Sequence, residues 1–185
     1  MPTIFSHAIA GVAAGQWWRR VPRGFWFWTV VCAMLPDIDV IGFSFGVPYE
    51  SMLGHRGITH SLPFAALAAV LVAWHLSHAS HPRTYPSHDS HPPHISHLFL
   101  WFFAVTTSHG ILDACTDGGR GIAFFAPFSA NRYYLPWRPI AVSPIGAGFF
   151  SPRGLRVLVS ESRWIWLPSA IIAASARMAR RVRRG

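Results

Sequence analysis

Lysine is absent from this 185-residue chain and acids are scarce: sixteen arginines stand against seven Asp and Glu, a formal net charge of +9. Charged residues make up 12% and hydrophobic ones 51%, whereas roughly a quarter of a soluble domain is charged. Only two cysteines occur, Cys32 and Cys115. Two give no disulfide framework, and neither has zinc-ribbon spacing, so both read as small buried hydrophobes. No basic n-region precedes the first apolar stretch, and His7 lies inside it, which argues against a cleavable signal sequence. Nor do the arginines form a stripe interleaved with aromatics, so nucleic-acid binding is set aside. Five lie in the last nine residues (Arg177, Arg180, Arg181, Arg183, Arg184) and three more at Arg19, Arg20 and Arg23. Clusters that flank apolar runs read as topology signals facing anionic lipid.

What is present is a set of short apolar segments: 4–18, 25–35, 62–76, one from about 98 that turns polar in its second half, and one around 156–176. Each falls short of the roughly 20 apolar residues of an isolated spanning helix. They fit either membrane helices whose polar ends pack together or the buried helices of a soluble bundle; nine tryptophans near segment ends and the arginine flanks favour the membrane. The expected fold is all-α, a multi-pass transmembrane bundle of about four to five short helices with an interfacial segment rich in Pro, Gly and aromatics. It forms one helical domain, residues 1–176, followed by a basic tail, 177–185. Residues 78–97 (HASHPRTYPSHDSHPPHISH) cannot build a core and read as a solvated histidine-rich loop. Residues 121–154 read as irregular structure and short helices in the membrane interface, a candidate cover for a site.

With the loop set aside, four of the seven carboxylates fall in two motifs: Asp37 and Asp39 in LPDID, Asp113 and Asp117 in SHGILDACTDGG. Outside the loop and its approach, which holds His75, four histidines remain beside apolar segments, His7 in FSHAIAG, His55 and His60 in GHRGITHS, and His109 in TSHGILD. Ionisable groups next to membrane helices are expensive and mark function by default. If the segments alternate in direction, starts of odd segments and ends of even ones share a side, so all four motifs meet at one membrane face. Within the last motif His109, Asp113 and Asp117 stand at i, i+4 and i+8, one face of a helix. Pro36 should free the backbone ahead of the two aspartates, and Gly118 and Gly119 suggest a helix end just after Asp117. Imidazole with carboxylate suits zinc, with manganese or iron as alternatives, better than calcium. Taken singly, each motif has a plain reading: a hydrogen-bonded core histidine, a proline turn with an N-cap aspartate, a solvated loop. Their convergence is what argues for metal.

The order SHAIAG, LPDID, HRGITHS, SHGILDACTDGG resembles the membrane-bound metal-dependent hydrolases, the YdjM-like or LexA-regulated inner-membrane putative hydrolases. The resemblance covers about residues 6–138 and leaves out the histidine-rich loop and basic tail. It implies a multi-pass helical hydrolase of the inner membrane using one or two divalent ions, with His7, Asp37, Asp39, His55, His60, His109 and Asp113 as metal ligands. Asp117 is then the candidate general base or partner of a ligating histidine. Arg56, and after it Arg120 and Arg132, are candidates to hold a phosphate through the guanidinium fork. A looser similarity to zinc-dependent phospholipases C and related nucleases is analogy only. The expected substrate is a phosphoester of a membrane lipid or lipid-linked molecule. The alternative is a non-catalytic membrane metal-binding or transport protein. Lipid phosphatases of the phosphatidic-acid type need a lysine in their first motif, which this chain lacks.

Arginine excess assigns the sides. The loop side carries nine arginines against one acid and the site side seven against six. The site is therefore expected on the non-cytoplasmic face and the C-terminal tail in the cytoplasm.

Overall fold

In a computed structural model, residues 1–79 and 94–183 are described, and among them the chain is helical with no strands beyond two isolated β-bridges. Helix α1 spans Ile4–Gly15. Helix α2, Phe25–Met34, continues as a 3-10 segment, Leu35–Phe45. Helices α3, Leu62–Ala79, and α4, Ile95–Ala114, follow. Helix α5, Pro152–Glu161, joins α6, Leu167–Val182, through a π-helical turn at Ser162–Trp166. Counting that last pair as one rod gives five, as the apolar segments suggested.

Three stretches are long and apolar enough to cross a membrane: Phe25–Phe45, Leu62–Ala79 and Ile95–Ala114, of 21, 18 and 20 residues. The first exceeds the expected 25–35 because Pro36 does not stop the helix. Proline lacks an N–H but suits the first turn of a helical segment, and the chain simply tightens into 3-10 geometry there. Helix α1, at 12 residues, covers about 18 Å and cannot span alone. The proposed boundary at residue 176 falls inside α6, which runs on to Val182 because Ala, Arg and Met are strong helix formers. The histidine-rich stretch begins within α3 at His78 and ends in the first turn of α4, while its centre, 80–93, lies outside the described residues. So does Arg184.

The buried core is built by α2, α3 and α4 through Phe25, Cys32, Ala33, Ala69, Val72, Leu76, Leu98, Phe102 and Val105. Both cysteines are free, and Cys32 is buried. Alanine and glycine allow close approach where apolar burial drives association little, as between membrane helices. A Cβ on Gly15 would come within 2.8 Å of the Trp26 ring. Leu67, Val70, Leu71, Trp74 and Leu100 stand exposed on the outer faces of α3 and α4, where lipid would cover them. At the opposite end from the loop, α1 begins, α2 ends, α3 begins and α4 ends. That shared end carries the polar motifs.

Candidate metal centre

Each motif is delivered by a local device. Ser61 accepts from the Phe64 N–H at 3.2 Å, an N-cap that starts α3 and fixes His60 just ahead of it. His109 and Asp113, four apart on α4, face the same way. The loop from 46 to 57 folds tightly: a Cβ on Gly54 would meet the Pro48 carbonyl at 2.1 Å and one on Gly57 the Met52 carbonyl at 2.2 Å. This turns His55 and Arg56 inward, with Arg56 at φ 64, a left-handed conformation that non-glycine residues rarely adopt.

The result is a buried cluster: His7, His55, His60, His109, Asp37, Asp39, Asp113 and Arg56 are all at most 8% exposed. His109 Nε2 lies 3.3 Å from Asp37 Oδ1, and His60 Nε2 lies 3.6 Å from both Asp37 Oδ1 and Asp113 Oδ2. His7 Nε2 is 3.5 Å from Asp113 Oδ1, its ring stacked on His109 with centroids 3.6 Å apart. None of these three ring nitrogens and two carboxylates makes a hydrogen bond at the facing atoms. Buried polar groups are nearly always partnered, so this many facing polar atoms without hydrogen bonds mark a site that could hold a cation.

Proton positions sharpen the case. His109 Nδ1 sits 2.7 Å from the Ala33 carbonyl, which only accepts. The ring therefore donates there, and a neutral imidazole presents its Nε2 lone pair to the Asp37 carboxylate, acceptor against acceptor. Asp39 does the same for His60. It receives the His55 Nδ1 at 2.7 Å, the Arg56 backbone N–H at 3.1 Å, the Thr59 hydroxyl at 2.7 Å and the His60 Nδ1 at 3.1 Å. Orienting partners of this kind hold a ligating histidine in one tautomer. Three carboxylates against one guanidinium leave two negative charges with neutral imidazoles, the charge of one divalent ion. Burial lowers the affinity of His60 for a proton, but Asp113, Asp37 and Asp39 outweigh it and raise its pKa to about 10. The cluster thus attracts positive charge strongly. One donor atom each from Asp37, His60, His109 and Asp113 lies within 4.8 Å of the others, as do donors from Asp39, His55 and His60. With bonds of about 2.0–2.2 Å, the edge of a tetrahedral site is about 3.3–3.6 Å, which the His109–Asp37, His60–Asp37 and His60–Asp113 separations match. The residues fit a divalent ion.

Not every expected residue joins. Helix α4 ends at Ala114, and the Thr116 hydroxyl donates back to the Asp113 carbonyl at 2.7 Å. The helical register therefore stops before Asp117. Its exposed carboxylate accepts from the Val142 N–H at 2.8 Å, away from the cluster. Arg56 is fully buried, its Nε 3.1 Å from Asp113 Oδ2 and its other nitrogens donating to Gly118 O and Thr116 Oγ1. It neutralises Asp113 and is not open to a phosphate. Arg132 clamps the 46–57 loop by donating to the carbonyls of Tyr49, Ser51 and His55. Arg120 pairs with Glu50 on the surface. Residues 121–154 are mostly irregular, with a 3-10 turn at Gly146–Phe149. They pack on the site loop where the Ala123 N–H meets the Arg56 carbonyl at 3.1 Å.

One contributor went unread in the sequence. Glu161, fully buried at the end of α5, accepts from the Thr3 backbone N–H and, at 2.7 Å each, from the hydroxyls of Thr3 and Ser6. Ser6 also accepts from Trp166 Nε1 at 2.7 Å. The residue before His7 is thereby tied to the last rod. A lone acid in an apolar segment was the available signal.

Three spanning-length helices around a buried His/Asp cluster define a helical membrane protein with a site able to hold a divalent ion. The family model of the YdjM inner membrane protein matches residues 1–183, and the chain belongs to that family. It is 33% identical over 179 residues to inner membrane protein YbcI of Escherichia coli (strain K12), covering 93% of this chain and 95% of that protein. No solved structure matches the chain.

Proposed function

We propose that this protein is a membrane-embedded, metal-dependent hydrolase acting on a phosphoester of a lipid or lipid-linked substrate. The observation that carries the reading is the set of facing donor atoms, buried and without hydrogen bonds, on Asp37, His60, His109 and Asp113. In this reading they hold one divalent ion, zinc in first place and manganese or iron as alternatives, with His7 as a fifth donor. Asp39 orients His60 and His55, and Arg56 balances Asp113. A bound divalent ion supplies Lewis acidity and an acidified water at neutral pH.

The residues around the cluster do the rest. His109 is held in one tautomer by Ala33, and Asp39 keeps the Nδ1 proton of His60 away from the site. Support for an amphiphilic substrate comes from a cavity of about 300 Å³ that reaches Asp37 and is otherwise lined largely by apolar groups, among them Ile4, Phe5, Val40, Ile145 and Phe149. A hydrocarbon chain suits those walls while a polar scissile group lies at the carboxylate. With Arg56 and Arg132 committed elsewhere, phosphate is favoured by the chemistry of a divalent ion at headgroup level, not by a guanidinium clamp. The arginine balance supports a site on the non-cytoplasmic face; Arg20→Cys labelled only from the cytoplasm is the expected result, and labelling only from outside would reverse it.

The burial of all four donors favours a second reading, a metal held for folding without catalysis. Screening metal-loaded wild type and His109→Ala on labelled phospholipids and lipid-linked phosphates separates them. Turnover by wild type that falls to background in a folded variant supports the hydrolase. Loss of the fold on metal removal, with no turnover, supports the structural ion.

A further inference from the structure

Beyond the metal cluster, the surface around α5 carries charge that the hydrolase reading does not use. Arg153, Arg156 and, beyond the start of the π turn, Arg163 line one cavity of about 630 Å³ together with Asp117, Val142 and Trp164. The guanidinium of Arg163 stands over the Trp164 ring, 5.1 Å from its centroid. Among the described residues the arginine–carboxylate pairs are Arg56 with Asp113 and Arg120 with Glu50, so these three arginines have no acid partner. Glu161 is buried against Thr3 and Ser6, and the Asp117 carboxylate on the cavity wall is held by the Val142 N–H, so the lining keeps a net charge of +2. Ser160 ties the cavity's walls together, accepting from the Ala141 N–H at 2.9 Å.

Three arginines against one carboxylate leave an excess of positive charge around the cavity, which an anion would balance. The same helix exposes Leu155 and Val159, at 65% and 63%, and Phe150 just before it is 88% exposed. An arginine face beside a bare apolar face suits a helix at headgroup level. We propose that this cavity binds the phosphate of an anionic phospholipid, whose chains run over Leu155, Val159 and Phe150. Guanidinium forks match phosphate oxygens, and the apolar flank selects the lipid over a soluble phosphate. The site is separate from the metal cluster and does not depend on it.

The test is thermal unfolding of the full chain in neutral detergent with added phosphatidylglycerol, phosphatidylcholine or soluble glycerol phosphate. Wild type and a control altered at the other face, R19Q/R20Q, should both gain Tm with phosphatidylglycerol and not with phosphatidylcholine. The R153Q/R156Q/R163Q variant should lose that gain. An equal gain in the triple variant would overturn the site, and an equal gain from glycerol phosphate would overturn the lipid assignment. Should the triple variant not fold, R156Q alone and the salt dependence of the wild-type gain decide. A gain unchanged in R156Q and undiminished in molar salt contradicts a guanidinium–phosphate site.

Discussion

Substituting Arg56 by Gln tests whether the cluster's charge balance holds the fold together. The side chain is fully buried, 3.1 Å from an Asp113 that is also fully buried, and donates two further hydrogen bonds, to Gly118 and Thr116. Removing one partner of a buried pair leaves an uncompensated charge and costs about 3–5 kcal/mol. At about 2–4 °C per kcal/mol for a chain of this size, Tm should fall by about 6–20 °C. The site then carries three negative charges with neutral imidazoles, so a divalent ion should bind it at least as well as before. An ion that binds only the folded state stabilises in proportion to the logarithm of its concentration over Kd, so saturating zinc should narrow the gap between variant and wild type. In a Cys115→Ser background buried Cys32 provides the readout, its thiol reacting with a fluorogenic maleimide only on unfolding. Equal destabilisation with and without the ion would refute the electrostatic argument. A loss under about 1 kcal/mol in metal-free protein would refute the buried pair itself.

Other substitutions separate roles within the cluster. Asp39→Asn keeps the fold and weakens metal affinity by about 10–100-fold, measured by competition with a chelator; abolished binding would make Asp39 a direct ligand. Asp117→Asn leaves metal content unchanged, because that carboxylate serves the Val142 N–H, and elemental analysis showing loss would restore it to the site. Glu161→Ala strips three acceptor contacts from Thr3 and Ser6 and should cost at least about 4 kcal/mol at roughly 1.5–3 kcal/mol per hydrogen bond to a charged group, read as a lowered Tm. Gly15→Leu forces a side chain into Trp26 and should cost about 1–3 kcal/mol; unchanged Tm would show that α1 does not pack there.

The sequence placed the cluster well because alternation of short apolar segments needs only their number and order. Convergence of His7, LPDID, His55–His60 and His109–Asp113 follows from that alone. Details that depend on backbone geometry were not legible. Asp37 and Asp39, two apart, look equivalent in LPDID, yet the 3-10 segment turns one toward the unpartnered donors and the other toward Thr59 and the His55–Arg56 backbone. Asp117 fits helical spacing from His109, but the Thr116 hydroxyl closes the last turn of α4 before reaching it. The charge of Arg56 was visible and its burial was not, since the inward turn arises from close backbone contacts at Gly54 and Gly57. Glu161 stands alone in an apolar segment with no motif around it, so its contacts with Thr3 and Ser6, more than 150 residues away, are not readable from spacing.

The most direct test of the metal centre is elemental analysis of detergent-purified protein carrying a tag other than polyhistidine, wild type beside Asp37→Ala/His109→Ala. One zinc, manganese or iron per chain in wild type, absent from a double variant that still melts cooperatively, is the predicted result. Metal content unchanged by the double substitution would place the ion elsewhere on the chain and contradict the account.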